Sequence, residues 1–284
     1  NDCNLSDFRL VSTLGYSQSD IKALEELEGI NVYPSYFLDA LVKEETGEST
    51  VRILSLDSYG ENNEVNALVL KEGRFPTSPD ECLADGGSLL TATAIGEKIT
   101  FYSGDDSEIS DTLERTEYTV VGTFDSPMYI DKSSRGNTTV GNGSVKSVFY
   151  VPEENFKTEV YTQVYITADE LRGINTYSEE YEKLSEEIMS RLEATGKIRE
   201  TERYDEIISE ATAKIDDARA ELEEARSDAF AEFDKAEKLY EKIIQADTTQ
   251  SEAYWGLILC KYGIEYVEEK YSHKRIPTVH RAQY

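Results

Sequence analysis

Residues Tyr177–Asp247 read YSEEYEKLSEEIMSRLEATGKIRETERYDEIISEATAKIDDARAELEEARSDAFAEFDKAEKLYEKIIQAD, about seventy positions with one glycine (Gly196) and no proline. That is far longer than an ordinary globular helix. From Tyr204 the apolar positions fall at Ile208, Ala211, Ile215, Ala218, Leu222, Ala225 and Ala229. The alternating four–three spacing is that of a coiled-coil seam. Ala alternates with Ile or Leu, so the seam is thin and suits close antiparallel helix contact. Beyond Ala229 the pattern resumes as Phe233, Ala236, Tyr240 and Ile243. Two successive steps of four make a stutter, where one register hands over to another. The sequence before this stretch is strand and turn; the sequence after it reads as a helical repeat. The junction between two modules is therefore expected between about Ala225 and Phe233.

The 284 residues leave room for one large or two ordinary domains. A net charge of −28 excludes nucleic-acid binding, which demands a basic face. It fits a solvated acidic surface, with attraction of a basic peptide as the sharper alternative. No run approaches the roughly 18 apolar residues of a membrane span. The chain opens on Asn1-Asp2-Cys3 without an initiator Met and stops at Tyr284, so it reads as a piece of something longer. Cys3, Cys82 and Cys260 match no metal spacing. Cys82 reads as a small apolar strand residue and Cys3 as a free thiol, with a Cys3–Cys82 disulfide as the alternative in an oxidising compartment.

Residues Asp7–Thr13 alternate Phe8 and Leu10 with polar neighbours, the pattern of a half-buried strand. Ser17 to Asp20 supply N-cap groups for a helix with Ile21, Leu24 and Leu27 on one face, closed by Gly29. Val32, Pro34, Tyr36, Leu38, Ala40 and Val42 then share one parity, which predicts a single strand, with Val51–Leu56 as its hairpin partner. From Leu68 to Phe156 short strands alternate with glycine and proline: Glu81–Ala84, Lys98–Tyr102, Tyr118–Phe124 and Ser147–Val151. Glu159–Thr167 resumes the strand pattern of the opening. The middle thus reads as an inserted lobe, with Asp7–Thr13, Val32–Val42 and Glu159–Thr167 expected in one sheet and the Lys98 and Tyr118 strands in another.

These residues carry a resemblance. Gly73-Arg74-Phe75-Pro76 with Glu81-Cys82-Leu83, Ile95-Gly96-Glu97-Lys98-Ile99, Tyr118-Thr119-Val120-Val121-Gly122 and Tyr150-Val151-Pro152 occur in an order that resembles the extracytoplasmic core domain of MacB/FtsX-type ABC-transporter permeases. Ser126-Pro127-Met128-Tyr129-Ile130 leading to Arg135-Gly136-Asn137, and Tyr177-Ser178 with Tyr181 before an acidic, Ala-rich helix, are similar to Gram-positive members. The resemblance covers roughly residues 5 to 228. It implies an α+β domain of two lobes: a strand–helix porter lobe (1–75 and 157–200) and an inserted β-rich lobe (76–156). A coiled-coil helix (201–229) follows. It further implies a non-catalytic domain on the outer face of the cell membrane that binds a partner or substrate and transmits conformational change. Implied partners are the nucleotide-binding subunit, through the parent permease, a second copy in a homodimer, and a peptide or lipoprotein substrate.

The tail, 230–284, differs. Phe233–Ile244 resembles the second helix of a tetratricopeptide repeat, and Ser251–Tyr262 the first helix of the next, with Thr248 at the turn where proline is usual. Such repeats imply a cytoplasmic setting, and one and a half of them are too few to stand alone. The rival readings are a cytoplasmic scaffold whose repeat binds a peptide, and a fusion of the two modules.

No catalytic constellation emerges. Both histidines, His273 and His280, lie beyond the long helix, away from any nucleophile in the β-rich half. Gly136–Gly143 lacks the Gly-Lys-Ser/Thr ending of a phosphate loop. Asp105-Asp106-Ser107-Glu108 with Asp111 lacks the spacing and glycine of a calcium loop and reads as a solvated acidic turn. No catalytic residue, cofactor or metal ligand is expected. The candidate contact residues are Met128, Tyr129, Ile130 and Arg135, in the long polar segment Asp125–Val145. An apolar triplet in such a loop either tucks under the sheet as a plug or contacts a partner.

Overall fold

The computed structural model describes residues 4–44, 47–60, 64–87, 90, 94–104, 108–129, 135–269 and 274–279. Cys3, Asp105–Ser107, Ile130, His273 and His280 therefore lie outside the described residues. The chain divides into two units, Asn1–Glu200 and Thr201–Tyr284. Mixed sheets and helices make the fold α+β.

The first unit holds two sheets. Strands β1 (Phe8–Tyr16), β2 (Ile30–Ser35) and the late β10 (Tyr161–Ala168) form an antiparallel sheet with β10 central. On β10, Val164, Ile166 and Ala168 alternate onto one face. Helix α1 (Gln18–Glu25) covers that face with Ile21 and Leu24, and helix α2 (Glu179–Ala246) covers it with Ile188 and Leu192. A capping box starts α1: Ser17 Oγ accepts from the Asp20 amide while the Asp20 carboxylate accepts from the Ser17 amide. The same carboxylate takes a 2.7 Å bond from Arg199 Nε, tying α1 to α2. Burial alone would raise the Asp20 carboxyl; the bonds from Arg199 and Ser17 outweigh it and hold it below its ordinary value.

The second sheet runs in the order β3 (Phe37–Glu44), β4 (Gly47–Leu56), β9 (Ser147–Pro152), β6 (Glu81–Asp85), β8 (Glu117–Asp125) and β5 (Val69–Gly73). A short β7 (Lys98–Thr100) also pairs with β8. The pairs β4–β9 and β6–β8 are parallel and the others antiparallel. Both faces are buried. Ile53, Cys82, Val120 and Phe149 point to one cluster; Leu54, Leu83, Phe124 and Tyr150 point to another. Burial on both faces is why Val148–Val151 reads as a continuous apolar run rather than an alternation. Cys82 is such a core residue, its thiol pushed up by burial and then by Glu81.

The single strand expected over Val32–Val42 is two strands in two sheets. The break falls at Tyr36, whose ring packs on Phe156 at 5.1 Å and Tyr161 at 4.8 Å. The Phe37 amide bonds Thr162 Oγ1 rather than a strand partner. Side-chain parity continues unbroken through the crossing, so alternation alone could not reveal it. The β3–β4 hairpin, from residues 1–75, accordingly joins the sheet that contains β6 to β9. The strands at Lys98 and Tyr118 do lie in a different sheet from β1, β2 and β10.

In the second unit, α2 continues from Thr201 to Ala246 and α3 (Ser251–Tyr262) packs against its end. Ala253, Gly256 and Cys260 are the buried residues of α3. A Cβ on Gly256 would lie 2.3 Å from the Tyr240 ring, so this helix crossing demands glycine. The face of α2 turned toward the interior carries Phe233, Ala236, Tyr240 and Ile244, whereas Ile243, the expected seam residue, is exposed. After Gly263 closes α3 in the left-handed conformation, β11 (Ile264–Glu268) and β12 (Arg275–Val279) form a hairpin. Helical-repeat sequence had been expected there. Among the described residues no helix is long and apolar enough to cross a membrane.

Candidate functional site

The residues that carry the family resemblance meet around β5, β6 and β8. Gly73 has φ +79°, and a Cβ there would lie 2.2 Å from the Val121 carbonyl oxygen; a Cβ on Gly122 would lie 2.5 Å from the Arg74 carbonyl oxygen. Two glycines thus let the chain after β5 cross β8 at backbone contact. Arg74 then forms a two-pronged pair with Glu81 at the start of β6, with Nη1–Oε2 2.7 Å and Nη2–Oε1 2.5 Å. The Thr77 amide adds a 2.8 Å bond to the same carboxylate. These donors, Arg74 foremost, hold the Glu81 carboxyl at about 2. The motif is a structural clasp, not an acid–base pair: an arginine-bound carboxylate is a poor proton acceptor.

The contact residues proposed from sequence lie against the face of the same sheet to which Leu83 and Phe124 point. Met128 and Tyr129 pack against the cluster of Leu54, Leu56, Phe124 and Tyr150, held by a turn in which the Tyr129 amide bonds the Ser126 carbonyl. Arg135 is only 4% exposed. It pairs with the equally buried Asp85, through Nη2–Oδ1 at 3.1 Å and a shorter Nε–Oδ2 bond, and its guanidinium lies 5.6 Å from the Tyr129 ring centre. The fourth residue, Ile130, falls outside the described residues. Met128, Tyr129 and Arg135 are thus brought together as packing partners.

Sequence reading missed the cations around them. Arg52 binds Asp39 with both prongs, at 2.7 and 2.8 Å, and stands 5.1 Å from the Phe37 ring centre. Arg9 stands 5.3 Å from the same ring and donates to Gln163 Oε1 at 2.8 Å. Burial raises the Tyr129 hydroxyl, while Arg52, Arg9 and Arg135 pull it back down. The only sequence signal for this layer was a scatter of arginines in otherwise apolar strands.

Beside Met128 a cleft of about 340 Å³ opens between β2, β4 and β10. Pro34, Leu56, Tyr150, Tyr161 and Tyr165 line it, together with Asn66 and Glu153. Asn66 is 5% exposed and held at φ +50°; its Oδ1 accepts from the Ser6 amide, while its Nδ2 has no partner among the described residues. Burial, then the nearby Asp57, raises the Glu153 carboxyl, and burial pushes the Tyr165 hydroxyl up to about 12. An aromatic wall with one acid suits flat, partly polar ligands. It contains no nucleophile–base pair. Among the described residues no group of acidic, His and Cys side chains could hold a metal ion.

No protein-family model matches the chain, and no curated protein matches it. A solved structure with a likeness to it is the extracellular domain of the noncanonic ABC-type transporter YknZ from Gram-positive bacteria. The identity is 14%, the match covers 61% of this chain and 80% of that one, and the TM-score is 0.35. A likeness of that score assigns this chain neither a function nor a location.

Proposed function

We propose that the chain is the non-catalytic extracytoplasmic domain of an ABC-transporter permease. Its two-lobed first unit binds a partner, with a peptide or lipoprotein as the substrate class, and α2 carries the change toward the rest of the transporter. The observation that carries this reading is the clasp at Gly73, Arg74, Glu81 and Gly122. Residues quoted for the permease resemblance from three separate stretches are mutually required there by backbone contact and a two-pronged ion pair. The cleft beside Met128 is the binding place, since its tyrosines offer flat, partly wet walls. Residues 201–229 form the coiled-coil element, and 230–284 a helical tail of repeat type that ends in a hairpin.

The test is topology and assembly together. The parent protein is expressed in its source cell and challenged with protease from outside. Cleavage within residues 1–200, together with recovery of an ATP-binding subunit on the same purification, is the expected result. Full protection of the chain, with basic or apolar peptides captured by residues 230–284, would replace this reading by the cytoplasmic scaffold.

A further inference from the structure

Among the described residues no element covers the face of α2 between Tyr204 and Ala229. Tyr204, Ile208, Ile215 and Leu222 are 65%, 49%, 53% and 69% exposed, and the alanines between them are exposed too. The stutter marks where this changes: beyond it Phe233, Ala236 and Tyr240 turn partly inward where α3 packs. The helix therefore switches register where its in-chain partner begins.

We propose that this seam pairs with the same seam of a second copy, antiparallel, about an axis between Asp216 and Asp217. In that register every layer sets one large side chain against one alanine: Tyr204 on Ala229, Ile208 on Ala225, Ala211 on Leu222 and Ile215 on Ala218. The layers are then equally thick, so two straight helices can approach closely over roughly 38 Å. The flanking charges choose the same register. Lys214 meets Glu221 of the second copy, Asp205 meets Arg226, and the two-fold axis repeats both pairs. A parallel pairing would instead stack Ile on Ile and Ala on Ala, and would set Lys214 against Arg219. Arg226 reaches Glu223 of its own helix at only 3.7 Å and lies 5.3 Å from the Phe230 ring centre, local contacts of small worth that leave its side chain able to turn outward. This pairing does not rest on the transporter reading.

The full chain in a Cys3→Ser background tests it. Ala211→Cys and Leu222→Cys chains, mixed and oxidised, are expected to give a disulfide-linked dimer, while neither gives one alone, because like positions lie about 16 Å apart. Lys214→Glu should weaken dimerisation in sedimentation roughly tenfold, and adding Glu221→Lys should restore it. Self-linkage of Ala211→Cys, or a dimer tightened by Lys214→Glu, would show parallel pairing and overturn the register. A chain that stays monomeric at high concentration would overturn the proposal and leave the seam to a different protein.

Discussion

Arg135 and Asp85 show how a residue singled out as a surface contact can be an interior one. The pair is buried on both sides, and the Gly87 amide adds a bond to Asp85 Oδ1 at 2.8 Å. Removing one partner leaves an uncompensated charge in the sheet, so Arg135→Gln should lose about 3–5 kcal/mol in urea unfolding. The double variant Arg135→Met with Asp85→Leu should recover most of that, because two apolar side chains leave no orphan charge. A single variant as stable as the parent would show the pair to be solvated. Glu153 offers the opposite case. Its folded carboxyl is raised above the ordinary 4.5 by burial and Asp57, so the native state binds more protons than the unfolded chain between those two values. Stability therefore falls as pH rises through that window and stays reduced above it. Glu153→Gln should raise the melting temperature at pH 7, with the gain vanishing below about pH 4. An equal gain at both pH values would mean the effect is packing, not charge.

Among the elements, the turn at Ser126–Tyr129 decides what its loop does. Met128 and Tyr129 are partly buried against Leu54, Phe124 and Tyr150, so replacing both with Ser should lower stability by about 2–4 kcal/mol, somewhat less than full burial of two large side chains implies. An unchanged melting temperature with weaker partner binding would instead make the pair a contact surface. The strands of this sheet were legible in sequence wherever one feature marked them: the apolar run Val148–Val151, or the glycines and proline around Glu81. The break at Tyr36 was not, because a strand that changes sheets without changing side-chain parity leaves no mark in alternation. The hairpin Ile264–Val279 was hidden for a different reason. Ile264, Glu265 and Tyr266 begin an alternation that apolar Val267 breaks, so five residues carried too little strand signal against the adjacent helical-repeat resemblance. Of the candidate site, the loop was visible and its surroundings were not: an arginine in a strand does not announce which ring or carboxylate lies across the sheet. On α2 the apolar positions from Tyr204 to Ala229 are exposed, and beyond them the packing of α3 selects Ile244 over the expected Ile243.

At the scale of the molecule, the apolar clusters around the two sheets lie wholly within residues 1–200, and the second unit has its own smaller contact between α2 and α3. Two cores of unequal size should not melt as one. Calorimetry of the full chain is expected to show two transitions, the smaller belonging to residues 201–284. Cys260→Asp puts a charge at a buried position near the C-terminus of α3, where the helix dipole also disfavours it, and should abolish or lower that transition alone. Val120→Asp, a charge in the seven-stranded sheet, should do the same to the larger one. The net charge of −28 acts on both: added salt screens the self-repulsion of the folded chain, so both transitions should rise between low and moderate ionic strength. The discriminating measurement is the pair of substitutions. If each moved both transitions equally, or if one transition were seen throughout, the long helix α2 would be coupling the two cores into a single cooperative body. A change sensed at the cleft beside Met128 would then be felt as far along the chain as Cys260.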